Sequence, residues 1–145
     1  MKKIKVLLLT FALVLLAGCG KSLTNKSTGD TMKISLDVDT SSNYVWSYSI
    51  MDSNVIDLKS EEFLTPADDE TLDGDAQVLT FKAFNEGESE IILSYMNNDS
   101  GKTKYDITYV ITVDANKNIK VKEKSGKYSK KLPNPVIYTE SNDEK

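Results

Sequence analysis

The part of the chain between residues 34 and 121 is dominated by runs in which hydrophobic and polar residues alternate. A period of two places the hydrophobic side chains on one face and is typical of a half-buried β-strand. The run at 105–113 shows this most clearly, because every second residue from Tyr105 to Val113 is hydrophobic. The other runs are 34–38, 44–50, 79–83, 91–95 and 119–121, with a short apolar piece at 55–58. Beyond residue 18 no stretch shows helical periodicity over ten or more residues, so the pattern predicts about seven strands.

Turn-forming residues separate these runs, as at 85–88, where the sequence is Asn-Glu-Gly-Glu. Short strands at this spacing predict an all-β, immunoglobulin-like antiparallel β-sandwich, which we place at residues 29–124. We expect Trp46, Phe81 and Tyr95 to lie in its core. Residues 125–145 are predicted to form a polar C-terminal tail, whose prolines exclude it from a central strand. It either packs along an edge of the sandwich or stays loose.

The N-terminal residues carry a different pattern. Three lysines precede an apolar run at 6–16, which is shorter than the roughly 20 residues of a membrane span but fits a secretory signal. The run closes on Leu16-Ala17-Gly18-Cys19, which is similar to a bacterial lipobox. This similarity implies that residues 1–18 are a lipoprotein signal peptide and that a two-chain lipid on Cys19 anchors the protein to the outer face of the bacterial cell membrane. Residues 19–28 are small and polar and are predicted to be a flexible tether. The alternative is an ordinary secreted protein with a free cysteine.

The composition excludes several kinds of chemistry. The chain has one cysteine, which lipidation would consume, and no histidine. Catalytic Ser-His-Asp and Cys-His arrangements need an imidazole base, and structural zinc needs Cys or His ligands. We therefore expect no catalytic residue, no cofactor and no metal site, and we interpret the protein as a non-enzyme. A hydrolase based on paired carboxylates is the enzymatic alternative. The acidic stretch 68–75 fits a calcium loop poorly, because Thr80 falls where an EF-hand has its bidentate glutamate.

The charge distribution bears on possible partners. The chain has 22 acidic residues and 18 lysines, and removal of residues 1–18, which contain three lysines, changes the net charge from −4 to −7. The acids are concentrated in the predicted sandwich, so we expect no nucleic acid partner. The lysines between 117 and 131 either contact an anionic polymer or lipid headgroups, or simply form a solvated strand and linker. We expect a monomer.

The sequence also resembles a known family. Residues 29–46 (Gly-Asp-Thr-Met-Lys-Ile-Ser-Leu-Asp-Val-Asp-Thr-Ser-Ser-Asn-Tyr-Val-Trp) resemble the opening of chagasin-type cysteine peptidase inhibitors, where a strand led by glycine runs into an Asn-Pro-Thr-Thr-Gly-aromatic-x-Trp loop. Residues 72–77, with Phe81 following, resemble the glycine-rich second loop of that family. The resemblance continues through Gly87, Leu93 and Tyr95 and through the long strand at 105–113.

The resemblance implies an immunoglobulin-like sandwich whose three clustered loops wedge without covalent chemistry into the active-site cleft of papain-like cysteine peptidases. Asp39 and Thr40 occupy the Asn-Pro positions of the family motif, and Ser41 and Ser42 occupy the positions of its threonines. Asn43 replaces the glycine, and asparagine tolerates a positive φ. The peptidase contacts implied in this way are Asp39, Thr40, Ser41, Ser42, Asn43, Gly74, Asp75, Asn97, Asn98 and Asp99.

Two of the three loops depart from the family pattern. Gly74 is the one glycine left in the second loop, and Asn97-Asn98-Asp99 stands where the family has Arg-Pro-Trp, so a large apolar anchor is missing. Each loop also has a plainer interpretation as a polar hairpin connection. The alternative function is a non-inhibitory binding module of the cell envelope on the same fold.

Overall fold

The computed structural model describes residues 28–140, in which eight strands form two antiparallel sheets. The first sheet has the order β3-β4-β1-β8 and the second has the order β2-β5-β6-β7. The strands are β1 (Thr31–Asp37), β2 (Tyr44–Ile50), β3 (Ile56–Leu64), β4 (Ala76–Ala83), β5 (Gly87–Asn97), β6 (Thr103–Val113), β7 (Ile119–Lys127) and β8 (Val136–Tyr138). The predicted antiparallel β-sandwich is confirmed. The predicted signal peptide and Cys19 lie outside the described residues.

The core lies between the two sheets and is built from the inward positions of the alternating runs. In β6, Ile107, Tyr109 and Ile111 are fully buried, and the residues between them are more exposed. Trp46, Phe81 and Tyr95 are buried as well, with 3%, 0% and 6% of their surface exposed. Within residues 28–140 there is no helix long and apolar enough to cross a bilayer.

Two segments are more ordered than the alternation indicates. The short apolar piece at 55–58 is the beginning of β3, which continues through the polar residues Lys59 to Glu62 to Leu64. β3 is an edge strand, and both of its faces carry exposed positions, which removes the period-two signal. At the other end of the chain, β7 runs to Lys127, past the predicted boundary at Lys124, and β8 pairs with β1 along the edge of the first sheet. Of the two alternatives for the tail, this part packs along an edge.

The register of the strands defines two ends of the sandwich. Asp37 pairs with Ala76, and Tyr44 pairs with Asn97, so the connections 38–43, 65–75 and 98–102 all lie at one end, which we call the loop pole. Val113 pairs with both Gly87 and Ile119, which places the turns 51–55, 84–86 and 114–118 at the opposite end. Residues 28–30 enter the fold at that end, because the Ile119 amide donates to the Gly29 carbonyl at 2.8 Å. We call it the tether pole.

Two tyrosines that join the tail to the sandwich are expected to titrate late. Burial raises the pKa of Tyr109 and of Tyr128 to about 12, and the Tyr109 hydroxyl also donates a hydrogen bond to the Pro133 carbonyl at 2.9 Å. Because both folded-state values lie above the unfolded value of about 10, their stabilising effect is complete below pH 10 and is lost as the pH rises towards 12. Absorbance of tyrosinate, followed together with circular dichroism, should show two of the seven tyrosines ionising only as the fold is lost. A Tyr109→Phe variant should lose one of these late ionisations, and ionisation of all tyrosines in one early step would contradict the prediction.

Candidate functional site

The first loop of the loop pole, residues 38–43, is a turn organised by one carboxylate. Asp39 Oδ1 accepts hydrogen bonds from the Ser41 amide at 3.0 Å and from the Ser41 hydroxyl at 2.5 Å. The Asp39 carbonyl accepts two more, from the Ser42 amide at 3.0 Å and from its hydroxyl at 2.8 Å. These are the local bonds that favour Asp and Ser in tight turns. The hydroxyl and the amide of Ser41 hold the pKa of the Asp39 carboxyl below its ordinary value.

The second loop, residues 65–75, is bonded to the first. The Thr40 hydroxyl donates to Asp75 Oδ2 at 2.7 Å, and the Val38 amide donates to the Asp75 carbonyl at 3.1 Å. Gly74 lies beside this contact with open space around it, since a Cβ there would meet nothing within 4 Å. Gly74 therefore lies on the exposed tip of the loop pole, where the backbone conformation does not require glycine.

Two acidic residues of the second loop accept hydrogen bonds from residues of the same loop and so stabilise its turns. Asp68 accepts from the amide and hydroxyl of Thr65, and Asp69 accepts from those of Thr71, at distances between 2.7 and 2.9 Å. These hydrogen bonds lower the pKa of both carboxyl groups. Among residues 28–140 no three acidic, cysteine or histidine side chains are placed to hold a metal ion together.

The third loop, residues 98–102, is bonded to the other side of the first. Asn43 Nδ2 donates to Asp99 Oδ2 at 2.5 Å, and the Asn98 amide donates to the Asn43 carbonyl at 2.9 Å. Asn97 Oδ1 accepts from the amides of Asp99 and Ser100 and so shapes the turn from inside. The structure thus brings the implied contact residues of all three loops together at one end of the molecule.

One detail of the first loop corrects the sequence analysis. Asn43 stands at the position of a family glycine, but its φ is not positive, and Lys117 is the one non-glycine residue within 28–140 that has a positive φ. Asn43 instead precedes β2 directly, and its amide group and carbonyl both bond to the third loop. Its role in this chain is to join two loops, which a glycine has no side chain to do.

Buried aromatic residues hold the first loop from below. The Trp46 indole donates to the Asp37 carbonyl at 2.9 Å, and the Asp39 amide donates to the Tyr95 hydroxyl at 3.2 Å. The two rings pack with centroids 5.0 Å apart. Because the beginning of the loop is fixed to two core side chains, less loop entropy remains to be lost on binding.

An aromatic face lies beside the loop pole and was not predicted from the sequence. Lys104 Nζ lies 5.6 Å from the ring centroid of Tyr44 and 5.4 Å from that of Tyr105, within the range of cation–π interactions. Tyr128 packs edge-on against Tyr105 and, with Trp46, lines a small cleft of about 220 Å³. Tyr128 falls in the predicted polar tail, although it is the one aromatic residue between 110 and 137. That isolated tyrosine is the signal that would have found this contact.

The turn around Asp39 yields a second prediction. Asp39→Ala removes the acceptor of both Ser41 bonds and is expected to weaken binding at the loop pole by roughly tenfold, since the turn must then be ordered on binding. Asp39→Asn keeps a side-chain acceptor and should have a much smaller effect. The two variants are compared by their affinity for a papain-like peptidase, the partner that the sequence resemblance implies, and equal losses would show that the charge, rather than the turn, matters.

The geometry defines a class of protein: an antiparallel sandwich that presents three loops at one end, the first of which is hydrogen-bonded to each of the other two. The family described as chagasin family peptidase inhibitor I42 matches residues 25–113, more than half of the chain, and the protein belongs to this family. Among solved structures, the chain is similar to the cysteine protease inhibitor EhICP2 from Entamoeba histolytica, with 20% identity, a TM-score of 0.49 and coverage of 61% of this chain and 81% of that one. No curated protein matches the sequence significantly.

Proposed function

We propose that the protein is a membrane-anchored inhibitor that occludes the active-site cleft of papain-like cysteine peptidases with the three loops of the loop pole. The observation that carries the proposal is the convergence of these loops, joined by the Thr40–Asp75 and Asn43–Asp99 hydrogen bonds, in a member of a peptidase inhibitor family. A wedge acts by shape and needs no catalytic group, which suits a chain without histidine.

The first loop forms the leading edge of the wedge. Ser41 is exposed, and its short side chain keeps the edge narrow enough to approach a thiol and an imidazole at the bottom of a cleft. Both serine hydroxyls donate their protons within the turn, to Asp39, and so offer the peptidase oxygen lone pairs that accept hydrogen bonds. Binding of this kind leaves the inhibitor uncleaved and its stoichiometry one to one.

The aromatic face compensates for the polar third loop. Residues 98–102 contain no apolar side chain large enough to anchor an interface, and anchors of this kind are usually aromatic or arginine. Tyr44 and Tyr105 are half-buried next to this loop, with the exposed Lys104 over their rings. These side chains supply the aromatic and cationic contact area on that flank of the cleft.

The N-terminal pattern favours an activity outside the cytoplasm. We propose that residues 1–18 are removed and that Cys19 carries a two-chain lipid, since two chains suffice for stable attachment where one does not. The folded domain then acts as a monomer tethered to the outer face of the membrane.

The proposal is tested by titrating the soluble form, residues 20–145, against papain and a cathepsin. We expect competitive inhibition that reaches completion at one inhibitor per peptidase, with the inhibitor intact afterwards on a denaturing gel. An inhibitor with a nanomolar inhibition constant occupies nearly all of the peptidase at about 1 μM. If neither peptidase is inhibited at that concentration, the proposal is overturned for these two targets. That result would favour the non-inhibitory envelope-binding module.

A further inference from the structure

We infer that the tether pole faces the lipid bilayer and that the loop pole is held away from it, so that the anchored protein captures peptidases from the surrounding medium. This inference rests on the proposed lipid anchor at Cys19. It extends that proposal by assigning a membrane-facing surface and an orientation to the folded domain.

The first support is the place at which the chain enters the fold. Gly29 is hydrogen-bonded to Ile119 at the tether pole, and the Asp30 carboxylate pairs with Lys82 at 2.8 Å at the same end. Gly29 also lies directly against the backbone of Tyr138, since a Cβ added to it would be 2.0 Å from the Tyr138 carbonyl carbon. The first described residues are thus fixed at one end of the sandwich, at the opposite end from all three loops.

The second support is a comparison of lengths. β6 has 11 residues, so the two poles are about 35 Å apart at 3.4 Å per residue. Nine residues connect Cys19 to Thr28, and even fully extended they span only about 30 Å. An inverted domain, with its loops against the lipid and its tether pole about 35 Å above, is therefore beyond the reach of the tether.

The third support is the chemistry of the tether pole. Met51 and Phe84 lie in its turns with 71% and 49% of their surface exposed, and large apolar side chains at such turn tips fit the interfacial region of a bilayer. The charged residues of these turns are Asp52, Glu86, Asp114 and Lys117. Since this set is net negative, anionic headgroups do not attract the tether pole electrostatically. Contact with the bilayer then depends on the lipid anchor and on these two apolar residues.

The orientation is measured by energy transfer in the lipidated protein. Lys102→Cys at the loop pole and Asn116→Cys at the tether pole are both exposed sites, and each is labelled with a donor fluorophore after Cys19 has been acylated. The protein is reconstituted into phosphatidylcholine vesicles that contain acceptor lipids. We expect transfer from position 116 to be several-fold more efficient than from position 102, because the sites are separated by nearly the length of the sandwich. Equal transfer, or stronger transfer from position 102, would overturn the inference.

Two variants sharpen the test. Insertion of about 20 Gly/Ser residues after Thr28 lengthens the tether to about the length of the domain and should largely abolish the difference between the two labels. Met51→Ser with Phe84→Ser should lower transfer from position 116, and an unchanged value would overturn the contact of these side chains with lipid.

Flotation of the unlabelled protein with vesicles separates the inference from the proposal beneath it. Protein that floats but shows no preferred orientation overturns the inference alone. Protein that does not float, because Cys19 is not acylated, overturns the anchor and the inference together. The inhibition of papain by residues 20–145 needs no anchor and therefore tests the inhibitory function independently.

Discussion

Replacing Ser41 and Ser42 together by arginine is expected to abolish the inhibition of papain. Each substitution adds a long charged side chain to the leading edge of the wedge, where the narrow turn has to enter a closed cleft. It also removes the two hydroxyl donors that fold the turn around Asp39. We expect the inhibition constant to rise by at least about 100-fold, the size of effect found when a central interface position is lost.

The control carries the same change in charge at the other end of the molecule. Ser53→Arg with Asn116→Arg places two arginines on exposed turns of the tether pole, and both variants should unfold at nearly the same denaturant concentration as the parent protein. Inhibition of papain should be lost in the first variant and kept in the second. If the loop-pole variant inhibits as well as its parent, the wedge does not use this loop.

Replacing Gln77 by methionine is expected to lower the free energy of unfolding by about 2 to 4 kcal/mol, since it orphans two buried backbone groups. Gln77 lies on β4 in the first sheet and is 1% exposed. Its Oε1 accepts from the Trp46 amide at 3.0 Å, and its Nε2 donates to the Trp46 carbonyl at 2.8 Å. Trp46 is on β2, an edge strand of the second sheet, so this side chain acts in place of a missing neighbouring strand and joins the two sheets.

Chemical denaturation followed by Trp46 fluorescence measures the effect. Methionine matches glutamine in length, so the loss reports hydrogen bonding rather than packing volume. Glu61→Gln is the control, because it keeps an acceptor for Gln77 Nε2, 2.5 Å away, on an exposed residue and should change stability by less than about 0.5 kcal/mol. Equal stabilities of the Gln77→Met variant and the parent would show that water satisfies the Trp46 backbone.

The predictions of the fold succeeded where burial on one face imposes a period of two. β6 is the clearest case, because its buried side chains at 107, 109, 111 and 113 are all hydrophobic. β3 was recognised only at its apolar beginning, since Lys59 lies at a register shift and Ser60 to Glu62 pair with β4 on an edge where both faces meet solvent. The pairing of β8 with β1 followed from no local pattern, because three residues are too few to show a period.

The candidate site was located in the sequence as three separate loops, through resemblance to a family. The contacts between these loops could not be predicted from the sequence, because each contact joins residues that are far apart in the chain. The Thr40–Asp75 bond spans 35 residues and the Asn43–Asp99 bond spans 56. The face formed by Tyr44, Lys104, Tyr105 and Tyr128 was missed for the same reason, since the residue after β7 supplies one ring and the beginning of β6 supplies another.

The sequence by itself determined which residues face inward, where the chain turns, and which chemistries a protein without histidine excludes. These are local properties, set by side-chain polarity at neighbouring positions. The tertiary structure decided that three loops form one surface, that Gln77 joins the two sheets, and that residues 28–30 lie at the opposite end from the loops. These features depend on strand register, which the cooperative packing of the whole core determines and no short segment specifies alone.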